Sequence, residues 1–284
     1  MSIVVLTPGG RTTVQDRGRP GYAPLGLGRS GAADQRAYSL ANRILGNPVT
    51  AACLETTLGG LSVRTNRSTW MAVTGPRVSV YVDQLEVGVR TAFFVPKDSV
   101  VTIGVPDHGM RNYLGVRGGI DAPMLLGSRS TDTLGGIGPD PLRKGDVLEL
   151  GTIPDEPPAG HDVFPAHEPA EVCELVIDRG PRADWFTDDA WSVLIRSDYV
   201  VTADSDRIGV RLDGPKIVRR RDGELPSEGL MQGAVQIPPI GTPVCFLADT
   251  PTTGGYPVLA VVRRASLPDL AQARPGQTVR FRAG

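Results

Sequence analysis

The chain has 284 residues, 40% of them hydrophobic, which is enough for one large or two ordinary domains with a real core. Its 30 basic and 31 acidic side chains nearly cancel, which excludes recruitment of nucleic acid or a membrane surface by a global field. Cys53, Cys173 and Cys245 lie far apart among small or apolar neighbours, and no apolar run approaches the ~18 residues that cross a bilayer. With no signal-peptide pattern either, a soluble cytoplasmic protein without disulfides is expected.

Glycine (35) and proline (25) punctuate short runs rich in Val, Ile, Leu and Thr, so the chain reads as mainly β. A first strand is expected at 2–6, followed by a loop dense in glycine and arginine, TTVQDRGRPGYAPLGLGRSG, at 12–31. The clearest helix follows at 32–45. Ala33, Ala37, Leu40, Ala41, Ile44 and Leu45 share its apolar face, Ser30 is placed to cap it, and Gly46 and Pro48 stop it. A polar loop running onto a helix N-terminus offers backbone N–H groups and a positive dipole end to an anion. Further strands are expected at 69–73, 78–82, 91–95, 100–104, 112–116 and 147–150. Residues 153–169, IPDEPPAGHDVFPAHEP, lack periodicity and read as a proline-rich linker in which His161 and His167 are solvated.

Beyond it, strands are expected at 173–177, 199–202, 210–212, 235–237, 244–247, 258–262 and 278–281. A helix over 183–194 would bury Trp185, Phe186 and Trp191, and a single turn is expected near 268–273. Each half closes on a similar phrase, RKGDVLELG at 143–151 and RPGQTVRFR at 274–282. The domain reading is a first β-barrel module at 1–152 carrying the anion-binding loop and helix, the linker at 153–169, and a second β-barrel module at 170–284.

Several chemistries are disfavoured by what the motifs lack. Gly26-Leu-Gly28-Arg-Ser-Gly31 matches G-x-G-x-x-G, but Pro20 and Pro24 forbid the central strand that a dinucleotide site needs before it. No P-loop, no G-x-S-x-G elbow and no Gly-Ser-Ser-Gly amidase run occurs. His108, His161 and His167 are not spaced with each other or with cysteine for a metal. What remains are polar loops at strand ends. One runs over 117–131, where Gly118 and Gly119 permit close backbone approach and Arg129 can fork onto a carboxylate or phosphate. Another runs over 227–256, where amide, carboxylate and hydroxyl groups sit among glycines and prolines.

Taken together, TVQDRGRPGY with GRSGAADQRAYSLANRILGNP, YLGVRGGIDAPMLLGSRSTDTLGG, SDRIGVRLDGP and SEGLMQGAVQIPPIGTPVCFLADTPTTGGYPVLAVV resemble the allophanate hydrolase subunit 2 family over residues 3 to 283. That family is also called the biotin-dependent carboxyltransferase family, the KipA family and the C-subunit family of 5-oxoprolinase. The resemblance implies two tandem cyclophilin-like β-barrel modules. It also implies a KipI-like partner (the B subunit of 5-oxoprolinase, or allophanate hydrolase subunit 1) and a LamB/YcsF-like third component, the A subunit. By the family's motifs, Gln15, Asp16, Arg19, Ser30, Asp34, Arg129, Ser130, Ser227, Glu228, Gln236, Thr252, Gly254 and Tyr256 are implied as site residues. Asp16 and Glu228 are the carboxylates placed to orient water as a base.

The function so implied is a subunit of an ATP-dependent hydrolase that opens 5-oxoproline to glutamate, with ATP acting through the assembled complex. One alternative is half of a carboxyltransferase that moves the CO2 unit of carboxybiotin to a urea-like acceptor, the biotin being carried by another chain. The other alternative is a non-catalytic, KipA-like module that sequesters a kinase inhibitor.

Overall fold

The computed structural model describes residues 1–155, 158, 164, 168–223 and 225–284. His161 and His167, with most of the expected linker, lie outside the described residues. Two compact units emerge. Unit 1 comprises Met1–Arg19, Asp34–Asp132 and Gly136–Glu168; unit 2 comprises Pro20–Ala33, Thr133–Gly135 and Pro169–Gly284.

Unit 1 holds β1 (Ser2–Pro8), β2 (Arg11–Gln15), α1 (Gln35–Ile44), β3 (Cys53–Thr57), β4 (Leu61–Thr65), β5 (Thr69–Thr74), β6 (Val80–Val82), β7 (Leu85–Val87), β8 (Ala92–Val95), β9 (Val100–Ile103), β10 (Arg111–Val116) and β11 (Val147–Glu149). They form a six-stranded sheet, β11-β1-β4-β9-β6-β7, and a five-stranded sheet, β2-β3-β10-β5-β8. Alternation supplies the core: Ile3, Val5, Val63, Val101 and Ile103 from one sheet meet Val14, Leu54, Met71, Val73 and Leu114 from the other. Helix α1 packs Ile44 and Leu45 against Ala72 of β5.

Strands β2, β3 and β4 were not expected. Their sequences, RTTVQ, CLETT and LSVRT, are half polar, yet Thr13, Gln15, Glu55 and Thr56 are buried in the sheets. Hydrogen bonding rather than apolar periodicity makes those positions habitable, and Glu55 accepts from the Tyr113 hydroxyl at 2.7 Å.

Unit 2 holds β12 (Val172–Arg179), α2 (Ala190–Arg196), β13 (Asp198–Val201), β14 (Gly209–Asp213), β15 (Glu228–Gly229), β16 (Ala234–Gln236), β17 (Val244–Phe246), β18 (Thr253–Gly254), β19 (Val258–Val262), α3 (Leu267–Gln272) and β20 (Thr278–Ala283). Seven strands close a barrel in the order β12-β19-β16-β17-β14-β13-β20, sealed by the parallel pair β12 and β20. The fold is mainly β in two units, as the resemblance implies, but the units close differently: unit 1 as two facing sheets, unit 2 as one continuous ladder. The repeated closing phrase is visible in both, where Gly145 (φ 93°) and Gly276 (φ 85°) make left-handed turns just before β11 and β20.

The unit boundaries depart from the expected division. Residues 20–33 and 133–135 belong to unit 2 because Ala33 packs in the barrel core and Thr133 bonds to Asp249. At the other end, Glu168 stays with unit 1, where it pairs with Arg90 at 2.7 Å and accepts from the Arg77 N–H. The single helix expected over 183–194 is instead a 3-10 turn at Ala183–Trp185 followed by α2. Phe186 is extended and bridges Arg219, so tertiary pairing breaks the run. Trp185 and Phe186 are buried, whereas Trp191 is half-buried under the Arg179 guanidinium. No helix among the described residues is long and apolar enough to cross a membrane.

Candidate functional site

In unit 1, the residues after β2 and those after β10 are knitted together by one carboxylate. Asp16 Oδ1 accepts from the Gly18 N–H at 2.8 Å and the Ser128 hydroxyl at 2.6 Å, and Oδ2 accepts from the Arg129 N–H at 2.6 Å. An aspartate that bonds its own backbone two residues on makes a local turn, and here the same group also anchors a distant one. That distant turn is a two-residue hairpin in which Leu125 and Ser128 exchange backbone bonds and Leu126 (φ 53°) and Gly127 (φ 74°) are both left-handed. Asp16 was expected to orient water as a base; in this structure both its oxygens are engaged and the residue is buried, and it braces the two turns.

Beside it, Gln15 donates to the Thr131 carbonyl and the Thr13 hydroxyl, both at 3.0 Å. Arg19 is fully buried. It donates through Nη2 to the Ser130 carbonyl and faces Asp132 at 3.9 Å, while its Nε and Nη1 find no hydrogen-bond partner among the described residues. Gln15, Asp16, Arg19, Arg129 and Ser130 are thus brought together in unit 1, although Arg19 is enclosed rather than offered to solvent.

The helix start is organised differently from the expectation. Asp34, not Ser30, caps α1, its Oδ1 accepting from the N–H groups of Arg36 at 3.0 Å and Ala37 at 2.9 Å. The cap carboxylate already occupies the positive end of the helix dipole, so those N–H groups are not available to a second anion.

Ser30 belongs to unit 2, where it adopts a left-handed φ of 53° and donates to Asp249 Oδ1 at 2.8 Å. Asp249 also accepts from Arg207 Nε at 3.0 Å and Nη2 at 3.1 Å, and from the Thr133 N–H at 3.0 Å and hydroxyl at 2.7 Å. Arg207 Nη2 further donates to the Gly31 carbonyl at 2.6 Å. Burial works to raise the Asp249 carboxyl, but the Arg207 guanidinium and the Thr133 bonds outweigh it and hold the group below its ordinary value. Sequence reasoning did not carry over Arg207 or Asp249. Both lie in the quoted motifs, but nothing local marks them as a buried ion pair.

The remaining residues gather at another place in unit 2. Glu228 pairs with Gly254 in the short β15–β18 ladder, Leu230 donates to the Thr252 carbonyl, and Gln236 donates to the Tyr256 carbonyl at 2.8 Å. Ser227 precedes Glu228 in the same strand connection. A Cβ on Gly254 would come within 2.8 Å of Gln236 Nε2, so a larger residue there would press on the amide that holds the Tyr256 carbonyl. Both Glu228 oxygens are engaged by Arg182, whose Nε donates at 2.8 Å and whose Nη2 pairs with the other oxygen. That bidentate clamp occupies both carboxylate oxygens, the atoms a base would use to accept a proton.

A cleft of about 430 Å³ opens in unit 1 among Thr50, Ala51, Gly118, Asp121, Arg129 and Thr152. Its floor is backbone against backbone. A Cβ on Gly118 (φ +92°) would meet the Gly151 carbonyl at 2.6 Å, and one on Gly151 would meet the Gly118 carbonyl at 2.5 Å. Arg129 Nη2 pairs with Asp121 Oδ1 at 2.8 Å on its wall. Among the described residues, no group of His, Cys, Asp and Glu is arranged to hold a metal ion.

Comparison with known proteins places this geometry. Residues 25–283 match the family described as carboxyltransferase domain, subdomain A and B. The chain is 36% identical to the C subunit of 5-oxoprolinase from Escherichia coli, over 98% of this chain and 89% of that protein. It is 32% identical to the C subunit of 5-oxoprolinase from Haemophilus influenzae, over 99% of this chain and 91% of that protein. The solved urea amidolyase of K. lactis superposes with a TM-score of 0.92 at 32% identity, covering 99% of this chain but only 18% of that one.

Proposed function

This chain belongs to the carboxyltransferase domain family, and from that premise we propose that it is the C-type subunit of a multi-subunit hydrolase that opens 5-oxoproline to glutamate. The observation that carries this reading is the two-way match to the C subunit of 5-oxoprolinase: 98% of this chain against 89% of the Escherichia coli protein. Against urea amidolyase the chain spans only 18% of that protein's length.

Water opens a lactam by breaking the ring C–N bond, leaving a carboxylate and an amine. The amide is resonance-stabilised, and ATP supplies the driving force in the assembled enzyme. The unit 1 cleft offers one guanidinium, Arg129, and one carboxylate, Asp121, a set that suits a single acid group and not the polyphosphate of ATP. ATP acts in this reading through the assembled complex, with a KipI-like B component and a LamB/YcsF-like A component as partners. In this reading Arg129 holds the substrate carboxylate, Asp16 positions Arg129, and Gln15, Arg19 and Ser130 keep the loop rigid behind it. Co-expression of the three subunits with an assay of ATP-dependent glutamate release tests the reading; no turnover of 5-oxoproline by an intact complex would reject it.

A second reading, half of a biotin-dependent carboxyltransferase acting on a urea-like acceptor, is favoured by the TM-score of 0.92 to urea amidolyase. Turnover that requires a biotinylated carrier, with none on 5-oxoproline, would select it.

A further inference from the structure

The unit 1 cleft carries a chemistry that its neighbours define. Its lining contributes one cation and one anion, Arg129 and Asp121, with the rest supplied by Thr50, Thr152 and small apolar or glycine positions. The two charges are adjacent, Nη2 to Oδ1 at 2.8 Å, and each is carried on a main chain fixed by hydrogen bonds. The Arg129 main chain is tied to the buried Asp16, and the Asp121 N–H donates to the Glu149 carbonyl at 2.8 Å, next to Ile120, which bridges both Ala52 and Leu150.

The pair is also incomplete. Arg129 keeps about a quarter of its side-chain surface exposed, so its guanidinium can still donate beyond the bond to Asp121. Asp121 keeps half its side-chain surface exposed, leaving acceptor capacity beyond the one bond it receives. A ligand that matches both presents an acceptor to the guanidinium and, close beside it, a donor such as N–H to the carboxylate.

We propose that this cleft is a binding site for small carboxylic acids bearing an N–H on the α carbon, the carboxylate resting on Arg129 and the nitrogen donating to Asp121. The chemistry is shared by 5-oxoproline and by L-glutamate, substrate and product of the proposed reaction. The choice of these two probes rests on that reading, but binding itself needs neither ATP nor another subunit.

Calorimetric titration of the purified full chain with 5-oxoproline, L-glutamate and glutarate, which lacks the α nitrogen, provides the test. At least one α-nitrogen acid is expected to bind saturably and more tightly than glutarate. Arg129→Gln is expected to weaken that ligand by roughly ten- to a hundredfold, the worth of a hydrogen bond to a charged group. Asp121→Ala is expected to erase the preference over glutarate without abolishing glutarate binding. Because a side-chain loss can perturb folding, Thr50→Trp, an exposed substitution on the cleft wall, serves as an independent block.

Tighter binding of 5-oxoproline makes the cleft a substrate site, and tighter binding of glutamate makes it a product site; both support the inference. No saturable binding of either, equal binding of glutarate, or titrations unmoved by both Arg129→Gln and Thr50→Trp would overturn it. A chain that binds as expected within a complex that never turns over 5-oxoproline would sink the functional reading and leave the site standing. Turnover by a complex in which this chain binds none of the three would do the reverse.

Discussion

Asp16 in unit 1 and Asp249 in unit 2 are both buried carboxylates that hold a loop in place, yet they are stabilised by different means. Asp16 is held by neutral donors, namely two backbone N–H groups and the Ser128 hydroxyl. Asp249 adds the Arg207 guanidinium, itself buried, to the bonds from Ser30 and Thr133. Dipoles aimed at a carboxylate distribute the cost of its burial over several weak partners, whereas an ion pair concentrates it in one. The first arrangement should fail gradually and the second abruptly.

The largest expected effect follows from that concentration. Arg207→Ala leaves Asp249 charged, buried and without its cation, and should lower stability by about 3–5 kcal/mol, measured by denaturant unfolding. A loss near 1 kcal/mol would mean that Ser30 and Thr133 suffice and that the two loops are built alike. Asp16→Ala should cost less, roughly 2–3 kcal/mol, because its three donors are neutral and some can turn to water. It should also loosen Arg129 and weaken the ligands proposed for the cleft while Arg129 itself is unchanged.

Acid sharpens the comparison further. The folded Asp249 carboxyl lies below its ordinary value, so it contributes stability that is fully present above the unfolded carboxylate value of about 3.9 and is lost as the pH falls through the folded one. Unfolding free energy should therefore drop with pH in that acid range, and Asp249→Asn should remove that part of the slope. An unchanged slope in the variant would assign the acid sensitivity elsewhere. The smallest effect concerns the turn that Asp16 anchors. Leu126 is left-handed and partly exposed, so Leu126→Gly should relieve strain and leave stability unchanged or raised by up to about 1 kcal/mol, seen as a higher melting temperature. A marked loss would show that the Leu126 side chain does more than occupy the turn.

Much of the fold was legible because its signals are local. Runs such as VVLTP, LVIDR and VLAVV alternate or cluster apolar side chains, and glycines at 145 and 276 mark the turns before the closing strands of the two units. Strands β2 to β4 escaped because their buried polar residues imitate loop composition. The site was legible only as a pooled set of motif residues; the structure brings Gln15, Asp16, Arg19, Arg129 and Ser130 together in unit 1 and gathers Ser227, Glu228, Gln236, Thr252, Gly254 and Tyr256 elsewhere in unit 2. A cap at Asp34 and one at Ser30 look equally good in a sequence, and only the backbone of α1 chose between them.

The amino-acid sequence by itself determined the β-rich character, the position of the main helix and the membership of a recognisable family, since periodicity, turn chemistry and motif spacing operate over a few residues. Only the tertiary structure decided that residues 20–33 join the second unit, that Asp16 ties two distant turns together, and that Arg207 pairs with Asp249. Those outcomes depend on where buried charge finds its partners, as when Ser30 meets Asp249 across 219 positions of chain, and that distance is settled by packing.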